Sequence, residues 1–261
     1  MTTFKDIVGN IPIYYINLER SKERKIYIEE YFKNNNITNF KRIQGVDGSI
    51  LTKEIFSETY TLDTNPKLNS RDMACTLSHY KAIENVLNDG HKYALIMEDD
   101  CNFDYVKYQI HSIEEIINSI EDWEIIKLST INGFDKKTRK KNSENPLNWK
   151  IKTRYHTFDY KDLIKERFVK KTVGLSGLQA YLINNKTCKK LVENKLINIL
   201  GASEPTIFKN ISPHVVYPPY FSYFFYKDVK SNIREGKSGH AIQTYSKIFW
   251  DTYYKSKENT S

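Results

Sequence analysis

Residues 93–100 read Tyr-Ala-Leu-Ile-Met-Glu-Asp-Asp, and this stretch restricts the fold more than any other. Five apolar or aromatic residues in a row are what a buried strand of an α/β sheet looks like. The run then stops at three consecutive carboxylates. Open α/β sheets bind ligands beyond the carboxyl ends of their strands, so Glu98, Asp99 and Asp100 are expected at a binding edge. Massed negative charge is costly there unless a cation shares it. Oxygen-only donors favour Mg²⁺ or Mn²⁺ over Zn²⁺, and an ion held this way commonly clamps a diphosphate. The competing reading is an acidic turn that merely ends the strand.

The rest of the chain alternates in the same style. Strands are expected at 11–18, 39–46, 123–129, 178–183 and 214–219, and helices at 22–33, 70–88, 104–121, 186–196 and 241–256. Ser21 reads as an N-cap, with Arg24 where a capping box would want Glu. The first helix would pack through Ile26, Ile28, Tyr31 and Phe32. Met73, Leu77, Tyr80, Ile83 and Leu87 form an apolar stripe, with Gly90 as a stop signal. Val106, Ile110, Ile113, Ile117 and Ile120 would share a face of the next helix. Ile242, Tyr245, Ile248, Phe249 and Tyr253 would pack the last one. Strands alternating with helices argue for a mostly parallel α/β sheet flanked by helices. One domain is expected over 1–261, with a C-terminal helical tail over about 241–261.

The net charge of +8 is local: residues 132–171 hold 13 Lys and Arg against 5 Asp and Glu, an excess equal to that of the whole chain. With its Asn, Ser and Pro, 132–167 reads as a long loop or insertion. Cys75, Cys101 and Cys188 show no metal or disulfide spacing, so a reducing compartment fits. The N-terminus lacks a signal-peptide pattern, and no segment approaches the roughly 20 apolar residues of a membrane span. A cytoplasmic protein is expected, with peripheral membrane contact open.

Several segments together resemble the family 25 glycosyltransferases, which include lipooligosaccharide and collagen galactosyltransferases. Ile16-Asn17-Leu18-Glu19-Arg20-Ser21-Lys22-Glu23-Arg24 is similar to the family's first-strand signature, INLDRSxxR. Gln44-Gly45-Val46-Asp47-Gly48 resembles its VDG motif. Cys75-Thr76-Leu77-Ser78-His79 matches its GC-x-LSH helix, with Ala74 where Gly is usual. Ala94 to Asp100 matches its LIxEDD strand end. Tyr181-Leu182-Ile183 looks like its AYLIS strand. Ser231-Asn232-Ile233 resembles its SDI, with Asn in place of Asp.

The resemblance implies a GT-A-type nucleotide-sugar-binding fold and a metal-dependent, inverting transfer. The sugar, most often galactose in this family, would pass from a UDP-sugar to a saccharide on a glycolipid or glycoprotein. Asp100 would ligate Mn²⁺ or Mg²⁺ with Glu98. His214 or His240 would be a further ligand, His240 being our assignment. Glu98 would also face the ribose. Asn17, Arg20, Arg24, Asp47, Ser78, His79 and Asp99 would line the nucleotide site. Arg20 and Arg24, four apart, would share a helix face and grip the diphosphate or base. The bland alternatives are a solvated basic face for the two arginines, an ordinary Asp-Gly turn for Asp47, and a satisfied buried histidine for His79. Glu204, in a place where the family usually has Asp, is the candidate base for the acceptor hydroxyl, with Asp228 next in line. A helix-starting acid before Pro205 is its plain alternative.

Rival readings are a UDP-glucose transferase, a non-catalytic family member, and a nucleic-acid binder using 132–171. No RNA-recognition or helix-turn-helix signature supports the last, so no specific nucleic-acid partner is expected. The basic segment could instead meet an anionic acceptor or membrane surface, with Trp149 and Tyr155 stacking on sugar or lying in the headgroup layer.

Overall fold

The apolar runs become the strands of one central sheet. A computed structural model of the chain describes residues 2–50, 70–131, 133–152, 157–166, 168–170, 177–193, 207, 211, 213–223 and 237–258. In chain order the strands are β1 (Ile13–Asn17), β2 (Phe40–Gln44), β3 (Tyr93–Glu98), β4 (Cys101–Asn102), β5 (Ile125–Lys127) and β6 (Gly133–Phe134). They continue with β7 (Ile151–Lys152), β8 (Thr157–Phe158), β9 (Phe168–Lys170), β10 (Ala180–Asn184), β11 (His214–Val216) and β12 (Ser222–Tyr223). The α-helices are α1 (Phe4–Val8), α2 (Lys22–Asn34), α3 (Ser70–Asn88), α4 (Ile113–Asn118), α5 (Lys136–Lys141), α6 (Tyr160–Glu166), α7 (Asn185–Glu193) and α8 (Lys237–Glu258).

Seven strands make the main sheet, in the order β2-β1-β3-β10-β5-β11-β9. β1 pairs parallel with β2 and β3, and β5 with β11. β10 is antiparallel to both β3 and β5, and β9 is antiparallel to β11. Five of the seven strands therefore share a direction, as the alternating pattern requires, and the sheet is compatible with a GT-A-like fold. In register, Ile16 lies opposite both Ile43 and Glu98, which brings the ends of β1 and β3 side by side.

Burial explains why these strands read as unbroken apolar runs. Leu95 and Met97 enter one cluster with Ile13, Tyr15, Leu182, Ile28 and Phe32. Ala94 and Ile96 enter another with Tyr14, Tyr181, Leu77 and Ile83. Successive side chains point to opposite faces, and both faces are covered. α3 carries the expected stripe, with Met73, Leu77, Tyr80 and Ile83 buried and Leu87 packed partly against them. Gly90, at φ 72°, then turns the chain in a conformation open to glycine at little cost.

Several expectations need correction. Ile26 is 55% exposed, because it sits about 200° around α2 from the buried Ile28. No continuous helix covers 104–121. A 3-10 turn at Val106–Tyr108 ends at an extended Gln109, and α4 starts afresh at Ser112, whose capping box with Glu115 outcompetes propagation. Ile110, on the expected apolar face, is 85% exposed in consequence. Ile248 is likewise exposed, and Trp250 and Tyr254 take its place in the core.

The basic segment is not simply a loop. β6, β7 and β8 form a small antiparallel sheet, with α5 in the connection from β6 to β7 and α6 following β8. Phe134, Trp149 and Ile151 join Phe249, Trp250, Tyr253 and Val215 in a third cluster, so the segment is pinned by the C-terminal helix. Trp149 is buried and its Nε1–H donates to the Asn142 carbonyl, which removes it from any sugar or headgroup. Tyr155 lies outside the described residues. Among them, no helix is long and apolar enough to cross a membrane.

Candidate active site

The parallel ends of β1 and β3 build the site. The Asp99 amide donates to the Ile16 carbonyl at 3.0 Å, which carries the β1–β3 ladder one residue beyond β3. Both Asp99 oxygens are then engaged: Asn17 Nδ2 donates to Oδ2 at 2.7 Å, and Arg24 Nη1 to Oδ1 at 2.9 Å. Asn17 also donates to the Ser21 carbonyl and accepts from Arg42 Nε. Burial pushes the Asp99 carboxyl up, while Arg24 and Asn17 pull it back.

Arg20 lies before α2 rather than on it, because the helix begins at Lys22, so the shared face expected with Arg24 does not form. Ser21 occupies the N-cap position, but its side chain makes no capping bond. Arg20 Nε instead meets Asp47 Oδ2 at 3.3 Å. Asp47 accepts from the Ser49 amide and hydroxyl, the turn anticipated for Asp-Gly. Burial opposes its ionised form, yet those donors and the nearby Arg20 and Arg71 hold its pKa below the ordinary value. Gly48 is needed for a close approach: a Cβ there would lie 2.6 Å from the Arg71 Cα.

α3 supplies the opposite wall. Ser78 Oγ accepts from the Val46 amide at 2.8 Å and donates to the Ala74 carbonyl at 2.7 Å, tying the loop after β2 to the helix. His79 is fully buried. Its Nε2 is 3.1 Å from Glu98 Oε1 and its Nδ1 is 3.2 Å from the Tyr181 hydroxyl. It is thus a satisfied histidine and also a wall of the cleft.

Asp100 stands apart from its neighbours. The residue is half-buried, but Oδ1 is enclosed and, among the described residues, has no hydrogen-bond partner. Burial first, then the charges of Glu98 and Asp99, push its carboxyl up to about 8 against the pull of Arg24. Buried polar atoms are rarely left unpaired, and an exception calls for a missing partner. A cation would supply one. The cleft over these groups holds about 630 Å³, counting the space at its mouth. Ile16, Leu18 and Val46 give it an apolar side, Arg20, Arg24 and Arg71 a cationic one, and Glu98 to Asp100 its acidic end. Apolar walls with a few convergent polar groups suit a small ligand, and mixed charge suits a phosphorylated one with its counter-ion.

Residues 10–199 match the model of glycosyltransferase family 25, described as an LPS biosynthesis protein family. The chain belongs to glycosyltransferase family 25. An Acanthamoeba polyphaga mimivirus protein that carries the name of a glycosyltransferase is 32% identical over 130 residues, 48% of this chain. The match spans 40% of the length of that viral protein. Glycosyl transfer is the chemistry of family 25, and the cleft lies within the matched residues.

Of the residues singled out beforehand, Asn17, Arg20, Arg24, Asp47, Ser78, His79, Glu98, Asp99 and Asp100 are brought together around this one cleft. Glu204 and Asp228 lie outside the described residues. His240 is on α8, where its side chain is not described. His214 is buried on β11. Sequence reasoning missed Arg71, Cys75 and Tyr181. The first two were within reach: Arg71, Ala74, Cys75, Ser78 and His79 recur at the three- and four-residue spacing of one helix face. Tyr181 was hidden as one more apolar residue in a buried strand.

Proposed function

We propose that this family 25 chain transfers a hexose, with galactose the first expectation, from a UDP-sugar to a saccharide acceptor with inversion at C1. The observation that carries the reading is the enclosed Oδ1 of Asp100, without a partner among the described residues, beside Glu98 at the end of β3. An oxygen donor set in that position fits Mn²⁺ or Mg²⁺. Asp100 and Glu98 would hold the ion, with His240 a third candidate. When bound, it would offset charge on the departing diphosphate.

The protein's own groups account for the rest. Arg20 and Arg71 line the cleft where a diphosphate would lie against the ion. Arg24 and Asn17 hold Asp99, so Asp99 acts as a positioning residue that fixes the turn carrying Asp100. His79 orients Glu98 through Oε1, which leaves the other carboxylate oxygen for a ribose hydroxyl. Ser78 and Asp47 shape the loop that would border the nucleoside. Glu204 is assigned the acceptor proton, with Asp228 as the alternative base. The acceptor would be a lipid-linked or otherwise anionic glycan.

A panel of UDP- and GDP-sugars, with and without Mn²⁺, tests the reading through nucleotide release. Release from one UDP-hexose, dependent on metal and raised by a saccharide acceptor, is the expected result. Undiminished release in excess chelator, or preference for a GDP-sugar, would overturn it.

A further inference from the structure

Cys75 and His79 stand one turn apart on α3, on the face turned toward Glu98. The Cys75 sulfur, a His79 ring nitrogen and a Glu98 carboxylate oxygen all lie within 4.8 Å of one another. Cys75 is in no disulfide, and all three residues line the cleft. This donor set differs in kind from the oxygens of Asp100. Sulfur and imidazole together select Zn²⁺ over Mg²⁺ or Mn²⁺. Three protein ligands beside open space match the arrangement of a zinc site that keeps its fourth position for water or a ligand.

Two further features favour a metal here. The Tyr181 hydroxyl lies 3.2 Å from His79 Nδ1, so Nε2 is the nitrogen aimed at the cluster. Such a partner orients the ring, and its oxygen can accept from Nδ1–H, the tautomer that a metal on Nε2 requires. Charge also balances, since one thiolate and one carboxylate neutralise a dication beside a neutral imidazole. Zinc bond lengths place sulfur and nitrogen about 3.6 Å apart in a tetrahedral site, so the cluster needs to close by about an ångström at most.

We propose that Cys75, His79 and Glu98 form a Zn²⁺ site in the wall of the cleft, separate from Asp100 and sharing Glu98 with it. On binding, the Cys75 thiol gives its proton to water as the sulfur–zinc bond forms, and His79 changes tautomer: the proton that Nε2 donates to Glu98 leaves it, Nδ1 takes one up and donates to the Tyr181 hydroxyl oxygen, and the bared Nε2 lone pair binds the metal. No redox change is involved. The site rests on its own three residues and stands or falls independently of the transfer reaction.

Titration of the metal-free protein with Co²⁺, followed by absorbance, tests it. The wild type should develop a thiolate-to-cobalt charge-transfer band in the near ultraviolet, saturating at one equivalent and erased by Zn²⁺. Cys75→Ser, its fold checked by circular dichroism, should lack the band. Tyr181→Phe should keep it, with zinc bound about 10- to 100-fold more weakly. Absence of the band in the wild type, or its survival in Cys75→Ser, would overturn the proposal. Unchanged zinc affinity in Tyr181→Phe would overturn the role given to Tyr181.

Discussion

An acid whose pKa rises from 3.8 to about 8 on folding binds its proton more tightly in the native state than in the unfolded chain, and Asp100 is such a group. Its contribution to stability is therefore present at low pH and is lost as pH rises from about 4 to about 8. Wild-type protein without metal should melt at a lower temperature at pH 8.5 than at pH 5. Asp100→Asn, which cannot ionise, should narrow that difference, and Mn²⁺ should restore the wild type but not the variant. Equal pH dependence in the two proteins would count against a cation partner for Asp100. Asp100→Ala should also abolish transfer and Mn²⁺-dependent UDP binding. At the same scale, Glu204→Gln should lower kcat by about 10²- to 10⁴-fold with donor affinity kept, as loss of a general base does. Near wild-type kcat would move the base to Asp228. Single residues were legible in different degrees. The three acids announced an edge, but which of them would be held by Arg24 and which left open depends on side chains from β1 and α2, and no local pattern encodes that.

Elements were legible where their environment is simple. β3 and β1 read correctly because a strand covered on both faces has no polar side to confuse it. The stretch 104–121 misled because its isoleucines continue a helical period across a break, and the period carries no sign of the extended Gln109. The basic segment misled for a different reason: its anchors, Phe134 and Trp149, pack against Phe249 and Tyr245 from about a hundred residues away. α5 nonetheless keeps Lys136, Lys137, Lys140 and Lys141 exposed, while Arg139 stacks 3.7 Å from the Tyr245 ring. Replacing the four lysines by Ser, with Arg139 retained, should weaken binding to anionic vesicles at low salt and flatten its salt dependence. Unaltered vesicle binding would leave α5 a solvated face.

Across the whole molecule, α8 holds the segment from β6 to α6 in place through one aromatic cluster. Trp250 is its largest fully buried side chain. Trp250→Ala should cost about 3–5 kcal/mol, the usual range for a buried tryptophan. The loss should appear as faster amide exchange over 133–166, with Mn²⁺-dependent UDP binding kept, because none of the cleft's lining belongs to that cluster. Uniform loosening that reached β1 and β3 would instead mean that the two regions unfold together.

Among the described residues, every one that lines the cleft comes from positions 16 to 100. The reversed strand β10 reaches that edge by its beginning rather than its end, and apart from the Tyr181 hydroxyl it touches the edge through main chain: the Gln179 carbonyl accepts from the Glu98 amide and the Cys101 thiol. A carbonyl is the same whatever side chain accompanies it. Beyond β10, with Tyr181 against His79, and the residues proposed as base and third ligand, the later part of the chain can therefore drift or lengthen over generations with little penalty to the nucleotide pocket. Lineages descending from such an ancestor would be expected to preserve the first part almost as an heirloom while diversifying the rest to meet new glycans.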